Sequence, residues 1–367
     1  MVFIDWLSVY QDHPGADLPR VGSELVVYLD LDGELKREQV KGYQHPGSWD
    51  TSLRVRCDGS RVEVSGNPSR YGRADNLWGF TNIESALSVY NNVLVALGLP
   101  PFTWGEQGKA SGRLRQSGEG VVYCGAKITA AHITRNFSVG KGHERDFLRW
   151  AATAVHHGVV GKLYPDGNTV TWGEGSRRTM IEYYNKAAEL RRHTRERTTD
   201  EGHRYCPIDE DGGYRARLVH WCESLGIVRC EVKLKAMQLS REGLERVEGW
   251  NMGRMVEIAD KYHVAGRMAG GAGRGSYMDI ADTLISAGYK RGDAFRAQTA
   301  ALSWMAGYDL RASISKSAFY RLRNILRGVG IDIGAPCNVT ALPIRVREVE
   351  VRPLAVEDAP TWYQRCA

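Results

Sequence analysis

Two adjacent tyrosines, Tyr183 and Tyr184, lie in the segment TMIEYYNKAAEL, between a predicted strand and a predicted helix. Alternate residues of a strand share a face. One face therefore carries Glu182, Tyr184 and Lys186, which are an acid, a phenol and an amine. The other carries Ile181 and Tyr183, which suit a hydrophobic core. The alternation predicts that Tyr183 is buried and that Tyr184 stands on a polar face, where its phenol could be a reagent.

Two further segments, AAHITRNF at 130–137 and IVRCEVKLK at 227–235, alternate in the same way. Their polar faces carry a histidine, amide and hydroxyl groups, an acid and several cations: His132, Thr134, Asn136, Arg229, Glu231, Lys233 and Lys235. If these strands neighbour the tyrosine strand in one sheet, the polar faces gather into one cluster. An ordinary solvated sheet face carries the same residue types, because charged side chains there make cross-strand pairs. Alternation therefore leaves both interpretations open.

These residue types suit phosphodiester transfer. A neutral phenol, with a pKa of ~10, is a weak nucleophile, and nearby cations or a metal ion favour its ionised form. A hard divalent cation held by carboxylate and amide oxygens polarises a phosphoryl oxygen. Lysine or arginine would hold the remaining phosphate charge, and the candidates are Arg177, Arg178, Arg229 and Lys233. Because a phenol is also a good leaving group, a tyrosyl phosphodiester could be formed and later resealed.

Charge favours a nucleic-acid partner. The 367 residues carry a net charge of +6. Local basic clusters stand at residues 113–116, 141–149, 176–178, 190–197 and 320–327. Each cluster alone is most simply a solvated face, but several in one chain shift the balance toward nucleic acid.

Patterns of membrane, secreted and ATP-dependent proteins are absent from the sequence. No apolar run approaches the ~20 residues that span a bilayer, and the first residues lack a signal-peptide pattern. The seven cysteines are scattered without a CxxC pair, so neither a disulfide framework nor a cysteine-rich zinc site is predicted. A phosphate-binding P-loop is missing as well. We expect a cytoplasmic protein without a membrane partner.

The order of the predicted elements indicates an α+β fold. A mostly antiparallel central sheet with flanking helices precedes a mainly helical C-terminal region. Asp-Gly turns join two strand pairs, and Thr81 with Glu84 has the spacing of a capping box at the start of a helix. We expect a β-rich N-terminal domain with one helix, a catalytic region that contains the tyrosine segment and a mainly helical domain, over residues 1–120, 121–240 and 241–367.

Residues 294–333 have the pattern of a helix-turn-helix, whose second helix would begin near Ser315. Apolar residues at helical spacing would pack inward; they are Phe319, Leu322, Ile325 and Leu326. Cations would point outward and could reach bases or phosphates in a major groove; they are Lys316, Arg321, Arg323 and Arg327. A basic amphipathic helix in an ordinary bundle has the same pattern, so both interpretations stay open.

Short segments in a fixed order resemble the gene II replication initiators of filamentous phages, also called gene II/X replication proteins. They are FIDWL at 3–7, DNLWGF at 75–80, HITRNFSVG at 132–140, TVTWGEGSRRTMIEYYNKAAEL at 169–190, IVRCEVKLK at 227–235, RLRNILRGVGIDI at 321–333 and PTWY at 360–363. Each segment is short. Their order and spacing over nearly the whole chain carry the resemblance.

The resemblance implies a rolling-circle DNA replication initiator. Such a protein recognises a double-stranded phage origin, nicks the plus strand and stays attached to its 5′ phosphate through a tyrosine. It later closes the displaced single strand into a circle. The family's nucleophile lies in a Tyr-x-Lys-x-x-Glu-Leu pattern, which falls on Tyr184 here. By the same resemblance, Lys186 neutralises the phosphate or the phenolate, and Glu231 is a ligand of Mg²⁺ or Mn²⁺.

The expected metal site departs from the family pattern at His132, where related initiators often carry an aspartate on or near this position. Either His132 replaces that acid as a ligand, or Glu174 or Glu182 supplies the missing carboxylate.

The resemblance also implies partners. Because the chain has no ATP-binding loop, unwinding and synthesis would fall to a host helicase and a host DNA polymerase in the cytoplasm of the bacterial host. Whether the chain forms a homo-oligomer on the origin stays open. Two other functions remain: a DNA-binding replication regulator without catalysis, and a metal-dependent nuclease that uses water and does not become attached.

Overall fold

A computed structural model describes residues 1–49, 51–105, 107–109, 121–123, 125–156, 158–193, 197–198, 204–205, 213–263, 274–275, 280–335 and 349–365. The basic cluster predicted at 113–116 lies outside these residues, as do residues 194–196 of the cluster at 190–197. In the described part of the chain, no helix is both long enough and apolar enough to cross a membrane.

The strands are β1 (Val2–Asp12), β2 (Glu24–Leu29), β3 (Leu35–Lys41), β4 (Tyr43–Pro46), β5 (Ser52–Cys57), β6 (Arg61–Gly66), β7 (Gln107–Lys109), β8 (Val121–Tyr123), β9 (Lys127–Ser138), β10 (Val155–His156), β11 (Val159–Val160), β12 (Lys162–Leu163), β13 (Thr169–Trp172), β14 (Thr179–Asn185), β15 (Arg197–Thr198), β16 (Arg204–Tyr205), β17 (Ile227–Lys235), β18 (Arg274–Gly275), β19 (Val349–Glu350) and β20 (Arg352–Pro353). The helices are α1 (Ile83–Ala96), α2 (Glu144–Ala152), α3 (Lys186–His193), α4 (Tyr214–Leu225), α5 (Ala236–Arg241), α6 (Met252–Lys261), α7 (Ile280–Ser286), α8 (Arg291–Met305), α9 (Leu310–Ser313) and α10 (Lys316–Arg327). Short 3₁₀ turns occur at Val247–Gly249 and Val356–Asp358.

A ten-stranded antiparallel sheet organises most of the chain. Its strand order is β12-β13-β14-β17-β9-β1-β6-β5-β4, and β20 also pairs with β9. Strand β1 lies between β6 and β9, so segments on both sides of residue 120 build the same sheet. The predicted α+β class, with a mostly antiparallel sheet and a helical C-terminal region, is confirmed.

One face of this sheet packs against α1, α2 and α6 and holds the main hydrophobic core. Core residues alternate along the central strands, as Ile4 on β1, Ile133 on β9 and Val232 on β17 illustrate. Tyr183 belongs to this core and has no exposed surface. Its inward position, predicted from alternation, is confirmed.

Local sequence determines where helix α1 begins and where helix α4 ends. The side chain of Asn82 caps α1, because it accepts a hydrogen bond from the Ser85 backbone N–H at 2.7 Å. The cap predicted at Thr81 is wrong by one residue, since asparagine caps at least as well as threonine. Helix α4 ends at Gly226, which has a φ of 61° and lies where a Cβ would clash with the Gly140 carbonyl oxygen. Glycine is therefore required where α4 turns into β17.

Among the residues that the structure describes, those that pack on the opposite face of the sheet cover one half of it. Helices α3 and α4 and the segment 74–78 pack on the half that contains Phe3, and they form a second hydrophobic cluster with it. Beyond this half, the same face of β1 presents Trp6, Ser8 and Tyr10, which are partly or largely exposed. Polar side chains gather at the boundary between the covered half and the open half.

Helices α7 to α10 have a hydrophobic cluster of their own within residues 280–335. A backbone bridge between Ala154 and Ile331 joins this helical unit to the loop after α2. Helix α10 begins after Ser315, whose hydroxyl accepts a hydrogen bond from the Ala318 N–H. The start predicted near Ser315 is confirmed.

Candidate active site

The neighbouring strands β14, β17 and β9 bring the predicted polar faces together. Their antiparallel register sets polar residues directly opposite one another: Tyr184 and Arg229, Glu182 and Glu231, Lys233 and His132. Directly opposed residues point to the same side of a sheet. The prediction that these strands neighbour each other is therefore confirmed.

An additional acid, Asp5, enters this face from β1. The register between β1 and β9 pairs Ile4 with Ile133 and then Trp6 with His132, so Asp5 is the extra residue of a β-bulge. The bulge lets the consecutive residues Asp5 and Trp6 contribute to the same side of the sheet. Asp5 is 6% exposed and Trp6 is 37% exposed. The acid therefore lies below the surface and the indole lies on it.

Asp5, His132 and Glu231 form a candidate metal site. One carboxylate oxygen from each acid and one imidazole nitrogen all lie within 4.8 Å of one another. His132 Nδ1 is 3.7 Å from Glu231 Oε2. Burial and the charge of Glu231 raise the pKa of Asp5. A divalent cation between the two acids would offset their mutual repulsion. Carboxylates suit both Mg²⁺ and Mn²⁺, and an imidazole suits a transition metal.

The phenol of Tyr184 lies against this site. Its Oη donates a 2.7 Å hydrogen bond to Glu231 Oε1. Burial and the charge of Glu231 raise the pKa of Tyr184 well above its usual value, whereas Arg229 acts in the opposite direction. The resting phenol is therefore protonated at neutral pH, and Glu231 is placed to accept its proton.

Lys233 separates Glu182 from the metal site. Its Nζ lies 2.5 Å from Glu182 Oε2 and 3.5 Å from Glu231 Oε2. Burial lowers the pKa of Lys233, but the two glutamates outweigh burial and raise it. Burial and the charge of Lys233 lower the pKa of His132 to about 3. The imidazole of His132 is therefore neutral at physiological pH and has a lone pair for a metal.

Arg229 is fully buried beneath the site. Its Nε donates to Asn136 Oδ1 at 2.9 Å, and its Nη2 donates to the carbonyl oxygens of Asn76 and Leu77 at 2.6 and 2.9 Å. Its Nη1 is 3.6 Å from Asp5 Oδ1. Direct DNA binding by Arg229, predicted from the sequence, does not fit this burial, because no phosphate can reach the guanidinium. Arg229 is instead a fixed positive charge behind Asp5.

Lys186 is also fully buried, at the start of α3. Its Nζ donates to Asn76 Oδ1 at 2.9 Å and to Glu189 Oε2 at 2.7 Å. Asn76 Nδ2 in turn donates to Asp5 Oδ1 at 2.7 Å. Burial and the charge of Arg229 lower the pKa of Lys186. Lys186 is thus connected to the metal site through Asn76 and Asp5.

The remaining candidates around the site lie at the surface. Arg177 and Arg178 are exposed in the turn before β14. Glu174 is exposed in the same region, where it accepts hydrogen bonds from surface residues of the β12–β13 hairpin. The candidate cluster therefore contains Asp5 as its second carboxylate, whereas Glu174 and Glu182 lie outside it.

The cations of α10 have unequal surroundings, although the apolar residues predicted to pack are buried. Arg323 donates from Nε and Nη2 to the carboxylate of Asp332, at 2.5 and 2.7 Å. Asp332 is 5% exposed, so this ion pair joins α10 to a buried carboxylate in the segment that follows the helix. The side chains of Arg321 and Arg327 are 57% and 45% exposed, and Lys316 is exposed as well. Three of the four predicted DNA-binding cations of α10 therefore face solvent.

Sequence reasoning missed Asp5 and Asn76. Both lie in segments that carry the family resemblance, FIDWL and DNLWGF. An acid within an otherwise apolar strand is the signal that could have identified Asp5, since a buried carboxylate needs a partner. Asn76 had no comparable signal, because its role depends on the two distant side chains that it joins.

Comparisons with known proteins agree with the resemblance. The family model for the N-terminal part of the phage replication-associated protein, the gene II protein, matches residues 3–253, and the model for its C-terminal part matches residues 293–366. The chain is 31% identical over 318 residues to the replication-associated protein of Escherichia phage If1, covering 84% of this chain and 95% of that protein. It is 23% identical over 372 aligned residues to the replication-associated protein of Enterobacteria phage I2-2, covering 98% and 96%.

Proposed function

The chain belongs to the gene II family of phage replication-associated proteins, and from that premise we propose that it nicks and closes DNA with Tyr184 as the nucleophile. Membership of the family implies a role in the initiation of phage DNA replication. The observation that carries the chemistry is the 2.7 Å hydrogen bond from Tyr184 Oη to Glu231, beside Asp5 and His132.

In the proposed nicking step, Tyr184 Oη attacks the scissile phosphorus of the plus strand at the origin. The Oη–P bond forms as the P–O3′ bond breaks. The phenolic proton passes to Glu231 Oε1, and the leaving 3′ oxygen takes a proton from solvent. The products are a 5′-phosphotyrosyl strand and a 3′-hydroxyl for synthesis. Closing is the reverse displacement, in which a 3′-hydroxyl attacks the phosphotyrosine and the phenol leaves.

Asp5, His132 and Glu231 are the residues we propose to hold Mg²⁺ or Mn²⁺. When bound, the ion supplies Lewis-acid polarisation of a phosphoryl oxygen. The donor set fits this purpose, because it combines two buried carboxylates with a neutral imidazole. Asn76 holds the Asp5 carboxylate by its 2.7 Å hydrogen bond, as outer partners of metal ligands usually do.

The buried cations and the more exposed cations have different proposed roles. Burial and Glu231 raise the pKa of Tyr184, and the charge of Arg229 opposes that rise and so favours the phenolate. Lys186 is a positioning residue, since it reaches Asp5 only through Asn76. Lys233, Arg177 and Arg178, which lie nearer the surface, are proposed to hold the phosphates of the strand.

The exposed cations of α10 are proposed to contact duplex origin DNA. Helix α10 projects Lys316, Arg321 and Arg327 to solvent from a packed helical unit. Residues 280–335 carry eight lysines and arginines against four acids, which favours a polyanion. Arginines on such a helix could contact bases or phosphates in a major groove. A host helicase and a host DNA polymerase would then act on the nicked origin.

A covalent adduct distinguishes this function from its alternatives. The wild-type chain should nick supercoiled phage replicative DNA with Mn²⁺ and leave a denaturation-resistant protein–DNA adduct. A water-using nuclease would nick without an adduct, and a regulator would do neither. Tyr184→Phe should abolish the adduct, whereas the core variant Tyr183→Phe should keep it. An adduct formed by Tyr184→Phe would overturn the assignment of the nucleophile.

A further inference from the structure

Trp6 is a large aromatic residue at the surface, next to the proposed metal site. Its indole is 37% exposed although its strand is central in the sheet. The ring stacks on His132, with ring centroids 5.9 Å apart and an interplanar angle of 25°. Its Nε1 donates to Ser8 Oγ at 3.3 Å, which fixes the plane of the indole. The protein therefore holds an oriented aromatic surface beside the reacting groups.

Basic side chains line the open half of the sheet around Trp6. The strand register places Lys235 level with Ser8, across Ala130, and sets Lys127 opposite Tyr10. The Arg61 guanidinium lies over the Tyr10 ring, 4.4 Å from its centroid. Asp12, which pairs with Arg61, and Glu63, opposite Tyr10, offset part of this positive charge. Aromatic rings and cations thus share this face, a combination that binds single-stranded nucleic acid.

We propose that Trp6 stacks on an unpaired base next to the scissile phosphate, and that the open half of the sheet binds single-stranded DNA. The proposal rests on the nicking function, because it takes the Tyr184 site as the position of the scissile phosphate. Since Trp6 directly follows Asp5, a base on the indole lies beside the metal site. Every base has a π-face, so this contact binds the strand without preference for its sequence.

A single strand fits this face better than a duplex. In a duplex the base faces stack on one another, and an indole can reach them only after the base leaves the stack. Trp6 and Tyr10 are four residues apart on one strand, roughly 13 Å, so both can contact the same extended chain. The origin would therefore have to be locally unpaired before Tyr184 acts.

Binding of a fluorescent twelve-nucleotide oligothymidylate, measured by anisotropy in EDTA, tests the proposal without metal or chemistry. Trp6→Ala should weaken binding about tenfold, and Trp6→Phe should recover much of the loss because a phenyl ring still stacks. Trp104→Ala is the matched control, since Trp104 is 50% exposed on a segment bonded to Gln11 at the core side of the sheet. It should bind like the wild type.

Two outcomes would overturn the proposal. One is wild-type affinity of Trp6→Ala for the oligonucleotide. The other is an equal loss for oligonucleotide and for duplex DNA of the same length, which would indicate a general defect of the fold. Intrinsic fluorescence provides a second measurement should Trp6→Ala fold poorly: oligothymidylate should quench the wild type more than the well-folded Trp6→Phe, and equal quenching also counts against the stack. Adduct formation by the wild type tests the nicking function separately.

Discussion

Replacing Asp5 by asparagine should remove metal binding while leaving the fold nearly intact. The amide oxygen of asparagine can still accept the hydrogen bond that Asn76 donates at 2.7 Å. Loss of the charge removes the attraction to Arg229 Nη1 at 3.6 Å, but it also removes the repulsion between Asp5 and Glu231. Because these effects oppose each other, the free energy of unfolding of the metal-free protein should fall by less than about 3 kcal/mol.

The effect on metal binding should be larger. Loss of an outer partner of a ligand already lowers metal affinity by about 10–100-fold, so loss of one of two anionic ligands should lower it by about 100-fold or more. At a Mn²⁺ concentration of about 100 times the wild-type Kd, bound metal stabilises the wild type by about 2.7 kcal/mol. A variant with a Kd about 100-fold higher gains about 0.4 kcal/mol under the same conditions.

Thermal unfolding with and without Mn²⁺ measures this difference. The Tm of the wild type should rise by several degrees, and the Tm of Asp5→Asn should rise by about one degree or less. Glu182→Gln is the matched control, because Glu182 lies on the same face but pairs with Lys233. A full Mn²⁺ shift in Asp5→Asn, or its loss in Glu182→Gln, would refute the assignment of Asp5 as the ligand.

Lys186→Met should lower kcat for nicking about tenfold with little change in KM for DNA, because the buried amine orients Asp5 through Asn76; a rise in KM alone would indicate a DNA contact instead. Arg323→Ala should lower the free energy of unfolding by about 2 kcal/mol, since the buried Asp332 loses two charged hydrogen bonds and keeps the Gly334 N–H and the more distant Arg327. Arg321→Ala should change stability by less than about 0.5 kcal/mol and reduce the salt dependence of duplex binding by about one phosphate contact; urea titration and filter binding measure the two effects. Burial raises the pKa of Asp332, but Arg323 and the Gly334 N–H outweigh it, so the pKa lies below its ordinary value of 3.8. A carboxyl with a lowered folded pKa stabilises the protein above its unfolded pKa and loses that contribution as pH falls through the folded value; urea midpoints should therefore drop below pH 3.8 in the wild type and drop less in Asp332→Asn.

The direction of each side chain follows from local sequence. Alternation separated Tyr183 from Tyr184, and the structure places Tyr183 in the core. Helical spacing likewise separated the buried apolar residues of α10 from its exposed cations, except Arg323, which pairs with the buried Asp332. These patterns can be read from the sequence because the period of a strand or a helix depends on covalent geometry and on neighbours along the chain.

How deeply a side chain is buried, and which residues it contacts, depend on segments that are distant in sequence. Arg229 shares the polar side of the sheet with Tyr184, yet α3, α4 and the segment 74–78 cover it and make it an interior charge. Asp5 lies close to His132 and Glu231 because β1 bulges where it pairs with β9. A strand pattern specifies which way a side chain points, but burial and ion pairing depend on what packs above it. For that reason the outward direction of Tyr184 could be predicted from the sequence, whereas the positions of Asp5 and Asn76 and the burial of Arg229 required the folded chain.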